Sequence, residues 1–367
     1  MAVVPPIHFP LSQPIPPSEV LSRRGLVARA GDRLVQGQDW VLTGPPRLGK
    51  STIAGAVRDY ARAQGAYVVT IDLTFLTGQE ELAVRLVQRI LECRTGPWHT
   101  DPAQWQDLGQ DLDDAGAGRL QDLDFKKVLY PMPPMDMWAA GLSLTETVAA
   151  RDNQRLIVLL DGFDSPRIWH HLGGVAAIRR WSALRETQPH TSYAFIGRRA
   201  DQLLPYIDHT PDGETPVDRL SVASIPWSEW EAYLTAHFET AGWKLSSAAI
   251  TRLRTLTSGH PWAMMAILQQ TVLVTQWQSR TRMTAQDVGR GHQRALRMLD
   301  GLYALEWVGV RESRTAPRIL AALADDRLLA RVPTMRAARR HLTSQGIIDP
   351  AGHLIDPLFR AWLQQTL

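Results

Sequence analysis

The chain has 367 residues, 44% of them hydrophobic and 21% charged. That balance excludes disordered and fibrous classes and leaves room for an α/β core with one or two smaller modules. Cys93 is the only cysteine, which excludes an internal disulfide and a four-thiolate metal site, and a net charge of +3 is too weak to point to nucleic acid by itself.

Prolines at 5, 6, 10, 14, 16 and 17 predict an extended arm or linker laid on the surface over residues 1–20. The same stretch carries no basic residue, unlike the start of a secretory signal, so a cytoplasmic protein is expected. The longest uncharged run, Thr255 to Ser279, holds Ser258, His260, Gln269, Gln270, Gln276 and Gln278, polar groups that would be costly in lipid. It predicts a helix buried in protein, and no membrane association.

Trp40 to Thr43 predicts a short strand, followed by a glycine-containing loop and a helix from Lys50 to about Gln64. Ala66 to Leu73, rich in β-branched residues, predicts the second strand of a right-handed strand–helix–strand unit. Helical sequence resumes at Gly78 to Glu92. Residues 93–137 read as an acidic, irregular insertion, with seven aspartates and one arginine between Asp101 and Asp124. The apolar run Arg155 to Asp161 predicts a central strand covered on both faces, with further strands at Thr191 to Gly197 and Asp218 to Ile225. Helices are expected at Trp227 to Glu239, Ser246 to Leu256, Pro261 to Trp277 and Met283 to Trp307. Ala316 to Asp325 and Thr334 to Ser344 predict two more, then a small hairpin at Gly346 to Ile355 and a closing helix packed through Leu358, Phe359 and Trp362.

Gly44-Pro45-Pro46-Arg47-Leu48-Gly49-Lys50-Ser51 fits the phosphate-loop pattern and stands between a strand and a helix, where such a loop must stand. Its backbone amides and the helix start suit an anion. Lys50 is expected on the β- and γ-phosphates of ATP, Ser51 on Mg2+, and Thr52 as an auxiliary polar contact. The chain has four lysines against thirty-six arginines, so a lysine at that position is not background. Asp161, at the end of an apolar strand, is expected to be the second magnesium partner. Gly162 follows it and cannot act on water, which leaves Asp164 as the candidate for that task, with a simple turn role as its alternative. Arg198 and Arg199, at the end of the fourth strand, are read either as cations that sense the γ-phosphate or neutralise developing charge, or as surface residues. Ser258-Gly259-His260-Pro261 reads as an interhelical corner, either one that brings His260 or the new helix N-terminus against the nucleotide or a plain structural corner. Asp72, ending the second strand, is read either as a turn residue or as a neighbour of the site.

In Thr334 to Ser344, Met335, Ala338 and Leu342 form an apolar stripe opposite Arg336, Arg339 and Arg340. Between Arg282 and Ile347 there are twelve arginines against six acids. Two helices, a hairpin and a basic face give a winged-helix outline suited either to DNA phosphates or to a protein partner.

Taken in order, "LVARAGDRL" (residues 26–34), "GPPRLGKS", "IDLT" (71–74), "DGFDS" (161–165), "SGHP" and the terminal "DPLFRAWL" resemble landmarks of the archaeal-type and bacterial AAA-like ATPases, in the additional-strand class of P-loop NTPases and close to the STAND ATPases. The resemblance implies an α/β parallel-sheet core at 21–226, a helical lid at 227–307 and a winged helix at 308–367. It also implies a Gly-His-Pro corner near the nucleotide. Members usually carry Glu at the position of Gly162, so the departure predicts slow turnover. The expected activity is Mg-dependent ATP hydrolysis that repositions the C-terminal module, with an arginine from Arg198, Arg199 or, in a homo-oligomer, a neighbouring subunit. The alternative is a regulator that binds ATP and DNA without hydrolysis. A small-molecule kinase is a third reading, for which the lid sequence offers no obvious acceptor pocket and no aspartate of assignable catalytic role.

Overall fold

The computed structural model describes residues 7, 9, 11, 23–74, 76, 78–95, 134–164, 181–198, 207, 217–311, 313, 315–325 and 335–367. Most of the acidic insertion, and Arg199, lie outside the described residues. Two compact units are present.

The first unit is an α/β layer. Its strands are β1 (Trp40–Thr43), β2 (Tyr67–Asp72), β3 (Leu156–Asp161), β4 (Thr191–Ile196) and β5 (Asp218–Ser221). They form a sheet of order β2-β3-β4-β1-β5 in which every pairing is parallel. β4 is thus inserted between the strand preceding the loop and β3, the arrangement that defines the additional-strand class. The helices are α1 (Arg24–Val35), α2 (Lys50–Ala63), α3 (Gln79–Thr95) and α4 (Pro134–Asp152). β4 is buried at all six positions and β3 at the first five, as a sheet covered on both faces requires. Phe163, Trp181, Tyr193 and Phe195 form an aromatic cluster beside them, with ring centroids 4.8–6.3 Å apart. The sequence reading did not assign α1; Ala30 and Leu34 on it are fully buried, and the Ala30 carbonyl accepts from Trp40 Nε1 at 3.0 Å.

The second unit is helical and holds residues 44–49 and 222–367 together with Ile7 and Phe9. It contains α5 (Trp227–Thr240), α6 (Ser247–Thr257), α7 (Pro261–Trp277), α8 (Ala285–Arg311), α9 (Ala316–Ala324), α10 (Met335–Ser344) and α11 (Pro357–Thr366). The helix starts are chemically fixed. Ser246 Oγ accepts from Ala249 N–H, Asp356 Oδ1 accepts from Leu358 and Phe359 N–H, and Thr284 and Asp287 cap each other reciprocally at the start of α8. α7 buries eleven of its residues, as the uncharged run predicts, and no described helix is long and apolar enough to cross a membrane.

The expected irregular insertion at 93–137 is narrower than predicted, since α3 runs to Thr95 and α4 starts at Pro134, and α4 is a nineteen-residue helix where none is expected. Three smaller details also go beyond the sequence. Two-residue strands β6 (Lys244–Leu245) and β7 (Arg282–Met283) pair in parallel; segments this short carry no periodicity to read. Ile7 and Phe9 of the proline-rich arm are buried, Phe9 with its ring 5.2 Å from His237 and 5.8 Å from Phe238. Of the expected hairpin, one antiparallel bridge, Ile348 to Leu354, is formed around the turn at Asp349, and Leu358, Phe359 and Trp362 of the closing helix are buried.

Candidate nucleotide site

The loop between β1 and α2 turns through two left-handed residues, Arg47 at φ 63 and Gly49 at φ 84. Alternation of such residues with ordinary ones aims successive backbone N–H groups toward one side. For a non-glycine residue the conformation costs about 1–2 kcal/mol, and the Arg47 side chain shows what opposes that cost. Its Nη1 donates to Asp356 Oδ2 at 2.9 Å and its Nη2 to Glu306 Oε2 at 2.8 Å, while the guanidinium lies 5.0 Å from the Trp262 ring centroid and 5.3 Å from that of Tyr303. Burial pulls the Arg47 pKa down, but Glu306 and Asp356 outweigh it and hold the group above its ordinary value. Asp356 Oδ2 also accepts from Tyr303 OH at 3.1 Å. One carboxylate therefore caps α11 and binds the phosphate-loop arginine. Pro45 and Pro46 meet the turn after α10, where Gly346 at φ 70 leaves no room for a side chain: a Cβ there would sit 2.7 Å from Pro46 Cδ.

At the sheet, Ser51 Oγ donates to Asp161 Oδ2 at 2.6 Å. Sequence reasoning placed these residues 110 positions apart on one ion, and the fold brings their oxygens together. Lys50 is brought to the same group: burial pulls its ammonium down to about 8, Arg198 adds to this by repulsion, and Asp161 and Asp164 oppose it. Asp161 is raised, first by burial and also by the charge of Asp72, against the Ser51 hydrogen bond and Lys50. Two cations thus stand close enough to repel, beside one carboxylate, Asp161, disfavoured as an ion. This arrangement gains from an anion between the cations and a metal ion on the carboxylate. Thr52 is half-buried in the first turn of α2.

Asp164, expected to act on water, is otherwise engaged. It is 8% exposed and its Oδ2 accepts from the Arg198 backbone N–H at 2.7 Å, tying the β3 turn to the end of β4. His260 is 1% exposed and caps α7, its Nδ1 accepting from Ala263 N–H at 3.3 Å. The corner before it is fixed by Gly259, whose carbonyl accepts from Ile225 N–H and Trp230 Nε1. On α10, Arg336 and Arg340 are exposed, whereas Arg339 Nη2 donates to the Ala351 carbonyl. Of the basic face, one guanidinium is therefore spent inside the chain. The carboxylates and rings around Arg47 were missed by sequence reasoning; at separations of 259 and 309 residues, no local pattern announces them.

No protein-family model and no curated protein sequence matches the chain. Among solved structures it is similar to the Walker-type ATPase paby2304 of Pyrococcus abyssi, with 16% identity, a TM-score of 0.69, and 97% of this chain and 99% of that one covered. It is similar to the ORC2 protein of Aeropyrum pernix in its ADPNP–ADP complexes, with 15% identity, a TM-score of 0.57 and 97% and 96% covered. It is also similar to the Aeropyrum pernix ORC1 protein in complex with DNA, with 12% identity, a TM-score of 0.50 and 95% and 93% covered. The fold is that of a P-loop NTPase of the ORC/Cdc6 type, with a parallel five-strand sheet and a helical C-terminal region.

Proposed function

We propose that the protein binds ATP with Mg2+ at Gly44–Ser51 and hydrolyses it. The observation that carries this reading is the meeting of Ser51, Asp161 and Lys50: a hydroxyl and a cation at the start of α2 and a carboxylate at the end of β3 converge where a phosphate loop opens its helix. The donors fit magnesium. Ser51 and Asp161 supply two oxygens; among the described residues no cluster of three or more His, Cys, Asp or Glu is arranged for a metal. A hard ion taking its remaining ligands from phosphates and water suits such a pair. Bound there, the ion would neutralise phosphate charge.

The loop amides of Gly44, Pro46's successors Arg47 and Leu48, and Gly49 would cradle the phosphates, with Pro45 and Pro46 fixing the entering backbone. Lys50 would bind the β- and γ-phosphates, and Thr52 would support them. Arg198, held at the end of β4 by Asp164, would face the γ-phosphate, as would Arg199 or an arginine from a neighbouring copy in a homo-oligomer. His260 would reach a nucleotide only through Nε2, since Nδ1 is committed to its cap. Because Arg47 belongs to the loop and is clamped to α8 and α11, a change in loop shape would reach the C-terminal winged-helix-like segment directly. This is how ATP would act as a switch. Lys50→Ala should remove most nucleotide affinity in titration calorimetry; unchanged affinity would refute the site.

A second reading is supported by Gly162 and by the exposed Arg336 and Arg340: a regulator that binds ATP without turnover and contacts DNA phosphates through α10. The likeness to a structure determined with DNA supports the same direction. Phosphate release measured beside a duplex-DNA titration separates the two, since only the regulator binds both and releases no phosphate.

A further inference from the structure

The residue after Asp161 is closed to side chains. Gly162 has φ +76, and a Cβ built on it would lie 2.6 Å from Thr74 Oγ1, so the turn after β2 occupies the space a side chain at 162 would need. Asp164 is buried and bound to the Arg198 amide. The same turn that fills this space brings its own carboxylate. Asp72 is the last residue of β2, in direct register with Asp161 on the adjacent strand. Both stand at the C-terminal edge of the sheet, where open α/β sheets bind ligands. Asp72 is exposed, and two contacts set its position: its Oδ1 accepts from Thr74 N–H at 2.9 Å, and the next amide, Leu73 N–H, donates to the Asp161 carbonyl at 2.8 Å.

We propose that Asp72 is the catalytic carboxylate of this site, taking the role that a side chain at position 162 cannot fill. This rests on the ATPase reading above. Asp72 would orient the attacking water and accept its proton as the water oxygen bonds to the γ-phosphorus. In the same step the bond from that phosphorus to the β–γ bridging oxygen breaks, its electron pair staying on ADP, and Asp72 passes the proton on to solvent. Thr74 is the positioning residue: its amide holds Asp72 and its hydroxyl lies against Gly162.

The test uses the full chain as wild type, Asp72→Asn, Asp72→Glu and Asp161→Asn. Single-turnover phosphate release is read beside the affinity for a fluorescent ATP analogue, with Mg2+ and with chelator. The expected result is that Asp72→Asn loses about 100-fold or more in phosphate release while its affinity in Mg2+ stays within about 3-fold of wild type. Asp72→Glu should release phosphate faster than Asp72→Asn, and Asp161→Asn should lose the Mg2+-dependent part of the affinity. Intact release by Asp72→Asn overturns the proposal alone and leaves the ATPase reading standing. Loss of Mg2+-dependent affinity in Asp72→Asn also overturns it, by making Asp72 a metal or structural residue. If wild type binds the analogue and releases no phosphate, the ATPase reading falls and Asp72 with it.

Discussion

Arg47→Ala tests whether the phosphate loop is mechanically joined to the C-terminal helices. The substitution removes two charge-assisted hydrogen bonds of 2.8 and 2.9 Å and two cation–ring contacts, and leaves Glu306 and Asp356 together without their shared cation. Their side chains are 22% and 13% exposed and that of Arg47 18%, so water can screen the orphaned charges only in part. Breaking a fully buried pair costs about 3–5 kcal/mol. Discounting for the residual exposure, we expect about 2–4 kcal/mol. Backbone strain cancels to first order because alanine, like arginine, is disfavoured at φ 63. Arg47→Gly removes that strain and should recover about 1 kcal/mol of the loss. The loss is measured by urea unfolding. Hydrogen exchange at α11 should report the same event locally, because the Leu358 and Phe359 amides depend on the Asp356 carboxylate that Arg47 holds. A cycle with Glu306→Ala should show coupling of about 1–3 kcal/mol. A loss below about 0.5 kcal/mol, or additive single and double variants, would refute the clamp.

Gly162→Glu, which places at that position the residue usual in the ATPases that the sequence resembles, should not speed phosphate release and should cost at least about 1–2 kcal/mol in thermal or urea unfolding; a faster, equally stable variant would show that the β2 turn does not block the position. Phe9→Ala should destabilise the helical unit by about 3 kcal/mol, read by urea unfolding, and no change would mean that the arm is not part of that core. Burial lifts the Asp39 carboxyl from its ordinary 3.8 to about 6, against Arg185, the Tyr193 amide and Arg155. Because the folded value lies above the unfolded one, its contribution is fully present below about 4 and is lost as pH rises through about 6. The difference in unfolding free energy between wild type and Asp39→Asn should therefore shift by up to about 3 kcal/mol across that window; a flat difference would refute the assignment.

Much of the sheet unit is legible in the sequence because its information is local. Continuous apolar runs mark β3 and β4 as covered strands, β-branched residues mark β2, and the glycines, Lys50 and Ser51 of the loop form one contiguous motif. Asp161 is legible for the same reason, as a charge ending an apolar strand. The helices of the second unit follow from their apolar periodicity, although its short β6 and β7 do not, because of their length, and neither do α1 and α4 of the first unit.

Tertiary structure decided what depends on order and neighbourhood. Placing β2 beside β3 sets Asp72 in register with Asp161, and no pattern within either strand specifies that pairing. The fold gives Asp164 to an amide on β4 and the His260 ring to a helix start, two needs invisible until the donors arrive. It buries Phe9 from a segment whose prolines suggest only an extended arm. It joins Arg47 to carboxylates more than 250 residues away. Local periodicity records which face of a segment avoids water; which segments share that dry space is fixed only when the whole chain has packed, and that is where this site acquires its partners.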